Sequence, residues 1–198
     1  MRLILASTSP YRRSLLERLG IPFDTISPDI DETPIASESA EALARRLAIA
    51  KARAGLQHLG DASSGALVLG SDQCAVLDDE ILGKPGNRTA NIEQLMRASG
   101  KTVRFFTGLC LTNGATSRER VEVVPFEVEF IDLDRRLVEA YVDREGAHDC
   151  AGGFRCEALG VALFKRMSGD DPNALVGLPL IALCRMLRLE GVEPLAPR

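Results

Sequence analysis

Tryptophan is absent from these 198 residues, histidine occurs twice and cysteine five times. His58 and His148 cannot by themselves furnish a multi-histidine metal centre, which weighs against a zinc enzyme. The cysteines (Cys74, Cys110, Cys150, Cys156 and Cys184) are odd in number and show no CxxC spacing. Reduced thiols in a cytoplasmic protein are therefore the expectation, with core filling favoured over nucleophilic roles. No apolar run approaches the roughly 18 residues of a membrane-spanning helix. The opening MRLILASTSPYRR has too short an apolar stretch, and no small-residue cleavage site, for a secretory signal. A basic excess is missing too, since 24 Lys+Arg face 28 Asp+Glu for a net charge of −4. Nucleic-acid binding draws much of its affinity from phosphate neutralisation, so neither nucleic acid nor membrane is an expected partner. A few cations focused in one cleft can still hold a small phosphorylated ligand. Internal repeats, low-complexity tracts and the GxxxxGK[ST], GxGxxG and GxSxG patterns are also absent.

What is present suits a folded chain of one domain or two small lobes, with 45% hydrophobic and 26% charged residues. Leu3–Ala6 reads as a buried strand. Ser9 as N-cap and Pro10 at the first helical position then start a helix that Gly20 stops. Residues 21–27 are β-like, and Pro28–Pro34 is an acidic loop. Leu43, Leu47, Ala50 and Ala54 recur at helical spacing from Ser39 to about Leu56. Ala66–Gly70 is a buried-strand candidate ending at Ser71-Asp72-Gln73, and Cys74–Leu77 forms a second run before a turn at Asp78-Asp79. Residues 89–98 look helical. Val103–Leu111 and Val121–Phe130 are long β-like stretches joined through Asn113-Gly114-Ala115. Residues 134–144 read as a helix with Leu137, Ala140 and Tyr141 on one face. Val161–Lys165 reads as a strand, 168–178 as a loop, and Pro179 opens a last helix. Helices alternate with strands early and a hairpin occupies the middle, so the expected class is α/β with mixed α+β character, built on a mixed sheet.

Several groups of residues have the composition of a chemical site. In Ser7–Arg13 a strand runs through a polar turn into a helix N-terminus, an anion-binding arrangement. Arg12 and Arg13 stand there against the helix dipole, as though something negative compensates them. A capped surface helix with solvated arginines would show the same spacing. Asp72 follows an apolar strand, where α/β proteins place ligands, although turn-forming aspartates also occupy such positions. Asp29-Ile30-Asp31-Glu32-Thr33 offers hard oxygen ligands suited to Mg²⁺. It matches the DxDxT of aspartate-nucleophile phosphatases only superficially, because Ser27-Pro28 rather than a hydrophobic strand precedes it. Lys51 borders the apolar stripe of its helix, and Lys84 lies in the loop Gly83-Lys84-Pro85.

In order along the chain, LILASTSPYRRSLLERLG, DETP, the Ala-Lys-Ala-Arg of the second helix, GSDQ, GKP, FFTGL and VGLPL resemble the Maf family of nucleotide pyrophosphatases over essentially the whole length. ASTSPxRR, HDCAGGFRCEALG and DPNALVGLPL are most similar to its branch of 7-methyl-GTP pyrophosphatases. The resemblance implies a single domain over 1–198, with two lobes around a cleft and a long mixed sheet with flanking helices, similar to inosine triphosphate pyrophosphatases. It implies hydrolysis between the α- and β-phosphates with a divalent metal, Mg²⁺ or Mn²⁺, and a homodimer. Asp72 would accept the proton of the attacking water. Ser7, Arg12, Arg13, Lys51 and Lys84 would hold the triphosphate, and Glu32 would join Asp72 at the metal. Tyr11, Gln73 and Glu157 fall at the specificity positions. The branch acting on dTTP and UTP typically has Thr and Gln where this chain has Gln73 and Glu157. A carboxylate at 157 can accept two hydrogen bonds from guanine's Watson–Crick edge, and a cationic methylated base rewards both that charge and an aromatic face. Tyr11 departs from the Trp of this branch and offers a smaller face. The competing class is a nucleotide-binding regulator of septum formation that senses rather than turns over its ligand.

Overall fold

The computed structural model describes residues 2–196. Its strands are β1 (Arg2–Ala6), β2 (Phe23–Ile26), β3 (Ala66–Leu77), β4 (Glu80–Leu82), β5 (Thr102–Asn113), β6 (Glu119–Phe130) and β7 (Phe164–Ser168). Its helices are α1 (Pro10–Glu17), α2 (Ala40–Leu59), α3 (Arg88–Ala98), α4 (Arg135–Glu145), α5 (Pro172–Val176) and α6 (Leu180–Leu189). The strands form one sheet in the order β2-β1-β3-β5-β6-β7, with β4 paired to β3. β1 runs parallel to β2 and β3, while β5, β6 and β7 follow antiparallel. The sheet is therefore mixed, as the order of elements suggested.

The predicted starts are observed. Ser9 caps α1 ahead of Pro10, and its hydroxyl accepts from the Arg12 amide. Ser39 caps α2 in the same way, through Ala42. Asp78 and Asp79 both take positive φ, 51° and 67°, as a two-residue hairpin turn between β3 and β4 requires.

Four expectations are corrected. β3 is one strand of 12 residues rather than two runs broken at Ser71-Asp72-Gln73, because helices cover both of its faces and its middle has partners. β7 begins at Phe164 rather than Val161, since residues 159–163 form a short 3₁₀ turn first. The loop 168–178 contains α5, capped by the Asp171 side chain. α4 buries Val138, Tyr141 and Val142, leaving Leu137 40% exposed.

Even-numbered residues of β3 face α2 and odd-numbered ones face the opposite layer, as strand alternation requires. On the odd face two apolar clusters lie at either end of the strand. Leu67 and Leu69 pack with α1 and α6, whereas Ala75 and Leu77 pack with α3 and α4. Between them the pairing changes. β1 pairs with β3 only as far as Gly70, and pairing with β4 begins at Ala75. Over Ser71–Cys74, β3 keeps β5 on one edge and has no paired strand on the other. The cleft opens at this gap.

Candidate active site

Asp72 lies in that gap, 8% exposed, on the face covered by α2. Two glycines bring the helix down onto it. A Cβ at Gly70 would stand 2.2 Å from the Ala48 carbonyl oxygen, and one at Gly108 would stand 2.2 Å from that of Ala44. The buried stripe of α2 accordingly runs through Leu47, Ala48, Lys51, Ala52 and Gly55, not through Ala50 and Ala54. Lys51 is inside this stripe rather than at its border. Its Nζ donates to Asp72 Oδ1 at 2.6 Å and lies 2.7 Å from Glu32 Oε1. Burial alone would raise the Glu32 carboxyl. The Lys51 hydrogen bond and the charges of Lys51, Lys84 and Arg12 outweigh it and hold the group below the ordinary glutamate value.

The cleft encloses about 400 Å³, and its wall includes Ser7, Tyr11, Arg12, Glu32, Lys51, Asp72, Gln73, Lys84 and Glu157. Ser7 is buried and its Oγ accepts from the Ser9 amide at 3.1 Å, leaving its O–H to donate elsewhere. Arg12 Nε donates to the Gly177 carbonyl at 2.8 Å. That same carbonyl lies 3.1 Å from Ser71 Oγ. Gly177 turns this oxygen inward at φ 115°, a conformation that side chains rarely tolerate. Burial lowers the Arg12 guanidinium below the usual arginine value, while Asp72 and Glu32 oppose the shift. Neither Arg12 nor Lys84 is ion-paired among the described residues. Such unneutralised cations lining a pocket suit a polyanionic ligand.

The wall also carries acidic and aromatic side chains, Asp149 and Glu157 with Tyr11, Phe105 and Phe154. The Cys150 thiol contacts Tyr11 Oη at 3.7 Å. Burial first, then this thiol contact, pushes the Tyr11 phenol up to about 12, so it stays neutral at physiological pH.

A family model described as Maf-like protein matches residues 2–190. The chain belongs to the Maf family. It is 54% identical over 191 residues to a Pseudomonas aeruginosa protein named 7-methyl-GTP pyrophosphatase, covering 96% of this chain and 97% of that one. A Nitrosococcus oceani protein of the same name is 51% identical over 189 residues, covering 96% and 93%. Among solved structures the chain is similar to the Staphylococcus aureus Ham1 protein, with 18% identity, a TM-score of 0.46 and coverage of 67% and 73%.

In this Maf chain most residues singled out from sequence converge on one cleft; Arg13 does not, and of the acidic loop only Glu32 reaches it, Asp29 and Asp31 lying outside the wall. Consecutive helical residues point about 100° apart, so Arg12 and Arg13 cannot share a face. Arg13 turns outward and pairs with Glu17 at 3.1 Å. Gln73 reaches the cleft wall, but its amide nitrogen is engaged by the Ala174 carbonyl at 2.7 Å and Leu175 at 3.1 Å. That leaves its Oε1 to face a ligand. Cys150 and Cys156 line the cleft, where core positions were expected; Cys74 and Cys110 are buried, and all five thiols are free. Burial raises Cys150 and pushes Cys156 up to about 12, so neither is an activated nucleophile. From sequence no site role falls to Asp149, Cys150 or Ser71, although the motifs HDCAGGFRCEALG and GSDQ contain all three. An acid-cysteine pair just before Gly152-Gly153 was the available signal for the first two.

Proposed function

We propose that this protein hydrolyses 7-methyl-GTP to 7-methyl-GMP and pyrophosphate, with water attacking the α-phosphate. The observation that carries the reading is the Lys51–Asp72 pair, 2.6 Å apart at the floor of a cleft whose other cations, Arg12 and Lys84, are not ion-paired. The relatives' shared name supports the substrate.

In this reading Lys51 occupies Asp72 Oδ1 at 2.6 Å, leaving Oδ2 to orient a water and accept its proton. Arg12 and Lys84 take the charge that spreads over the phosphate oxygens, and the Ser7 hydroxyl donates to one of them. Arg13 has no part in this. Asp72 Oδ1 and Glu32 Oε1 are taken by Lys51 Nζ, at 2.6 and 2.7 Å, so an ion shared by these carboxylates would be held by their other oxygens. No cluster of three or more His, Cys, Asp or Glu side chains able to hold a metal occurs among the described residues. Two carboxylates fit Mg²⁺ or Mn²⁺, which complete their shell with phosphate oxygens and water. Bound there by Glu32 and Asp72, the ion would neutralise phosphate charge.

For the base, Glu157 accepts from guanine's Watson–Crick edge, Tyr11 supplies the ring and Gln73 Oε1 adds an acceptor. The reading takes residues 1–198 as a single domain whose lobes flank the cleft, acting in the cytoplasm as a homodimer. No helix among the described residues is long and apolar enough to cross a membrane.

Chromatography of products from separate incubations with 7-methyl-GTP, GTP, dTTP and UTP, in Mg²⁺ or Mn²⁺, tests the reading. Monophosphate and pyrophosphate, formed fastest from 7-methyl-GTP, are expected. Faster pyrimidine turnover would overturn the specificity assignment, and binding without turnover would favour a regulator.

A further inference from the structure

Arg155 is absent from the cleft wall, yet it holds together acidic and aromatic groups of that wall. Its guanidinium carbon sits 5.8 Å from the centre of the Tyr11 ring. Its Nη2 donates to Asp149 Oδ1 at 3.2 Å, and Nη1 to the Glu145 carbonyl at 3.3 Å. The backbone of the same residue anchors the loop that carries Glu157. Its N–H donates to Tyr141 Oη at 3.1 Å, and its carbonyl accepts from the Gly160 amide at 3.0 Å. Glu145 Oε2 fixes the far side of that loop through the Leu159 amide at 3.0 Å. The turn is tight, because a Cβ at Gly160 would lie 2.3 Å from the Arg155 carbonyl oxygen. Arg155 Nε is buried without a hydrogen-bond partner. A surface ion pair would avoid that cost, whereas a guanidinium committed to an aromatic ring incurs it.

We propose that Arg155 is the positioning residue for base recognition: it backs the Tyr11 ring on the side turned away from the cleft and sets the loop that presents Glu157. One residue, its side chain at the Tyr11 ring and its backbone at the Glu157 loop, thereby fixes the spacing between the aromatic face and the carboxylate that meet the base. This rests on the assignment of Tyr11 and Glu157 to the base end. A lysine would keep the charge over the ring but lose the fork that also reaches Asp149. The role concerns the base alone, so the phosphate end at Arg12 and Lys84 should not sense it.

The test compares wild type, Arg155→Ala and Arg155→Lys by steady-state kinetics with 7-methyl-GTP, and with inorganic triphosphate as competitive inhibitor. For Arg155→Ala, KM rises roughly tenfold, the scale of a lost cation–π contact together with its ordering. kcat changes by less than about threefold, and the inhibition constant of inorganic triphosphate stays within about twofold of wild type. Arg155→Lys recovers part of the KM effect. An unchanged KM, or a triphosphate inhibition constant that rises in step with KM, would overturn the role, the latter because the whole site would have collapsed. If wild type itself binds 7-methyl-GTP no better than inorganic triphosphate, the base-end assignment fails first. That result appears without any variant and overturns the role with it.

Discussion

Gly70 and Ala48 lie in such close contact that a Cβ on the glycine would stand 2.2 Å from the alanine's carbonyl oxygen and 2.6 Å from the Ala52 nitrogen. The contact determines the chemistry above it. Lys51 is three residues beyond Ala48 on the same helical face, and Asp72 is two beyond Gly70 on the same face of β3. Helix and strand must touch here for the ammonium to reach the carboxylate. Gly70→Ala is therefore expected to lift α2, destabilise the fold by about 1–3 kcal/mol and lower turnover. Thermal melts and kcat measured together check this. Full activity would show that the Lys51–Asp72 contact survives without the close approach.

Asp72→Asn keeps the shape and removes the base. Turnover of 7-methyl-GTP should fall by roughly 10²–10⁴-fold, with the circular dichroism spectrum and nucleotide binding retained. Substantial residual turnover would place the proton acceptor elsewhere.

This aspartate also shows what sequence could and could not reveal. Its candidacy was legible, because a polar triplet interrupting an apolar run is conspicuous. Its place was misread, since Ser71-Asp72-Gln73 looks like a strand end. The triplet stays within the strand because Ser71 donates to the Gly108 carbonyl, Gln73 to Ala174 and Leu175, and Asp72 meets Lys51. Those partners lie up to 102 residues away, and no local pattern encodes them. Capped starts such as Ser9-Pro10 and Ser39 were readable because their partners are local. α5 was not, since it is five residues long and has little periodicity to show.

Lys51→Met should alter the pH profile as well as the rate. Lys51 is the main influence holding Glu32 below its ordinary value against burial. Without it the carboxyl protonates at higher pH. The acid limb of kcat/KM should move upward, alongside a rate loss. An acid limb that stays put would mean that Glu32 ionisation does not limit activity.

Tyr11→Ala should weaken use of 7-methyl-GTP more than use of GTP, because a cationic base gains more from an aromatic face. Tyr11→Trp should move the ratio of kcat/KM values the other way. Equal changes for both nucleotides would remove stacking from the account.

Away from the cleft, Glu190 ends α6 in a buried clamp, accepting from Asn113 Nδ2 and from Arg120 Nε, each at 2.6 Å. Burial opposes its charge, but those two hydrogen bonds and the Arg120 charge hold its pKa below the ordinary 4.5. A carboxyl depressed on folding contributes stability above its unfolded value and loses it as pH falls through the folded one. Glu190→Gln should cost about 2 kcal/mol at neutral pH, with the difference from wild type vanishing in acid. A difference that does not depend on pH would assign the cost to packing alone.

Turnover of 7-methyl-GTP in water enriched in heavy oxygen, with mass spectrometry of both products, tests the central claim most directly. Attack of an Asp72-oriented water on the α-phosphorus places the label in 7-methyl-GMP and leaves pyrophosphate unlabelled. Label in pyrophosphate, or release of orthophosphate and 7-methyl-GDP, would contradict it.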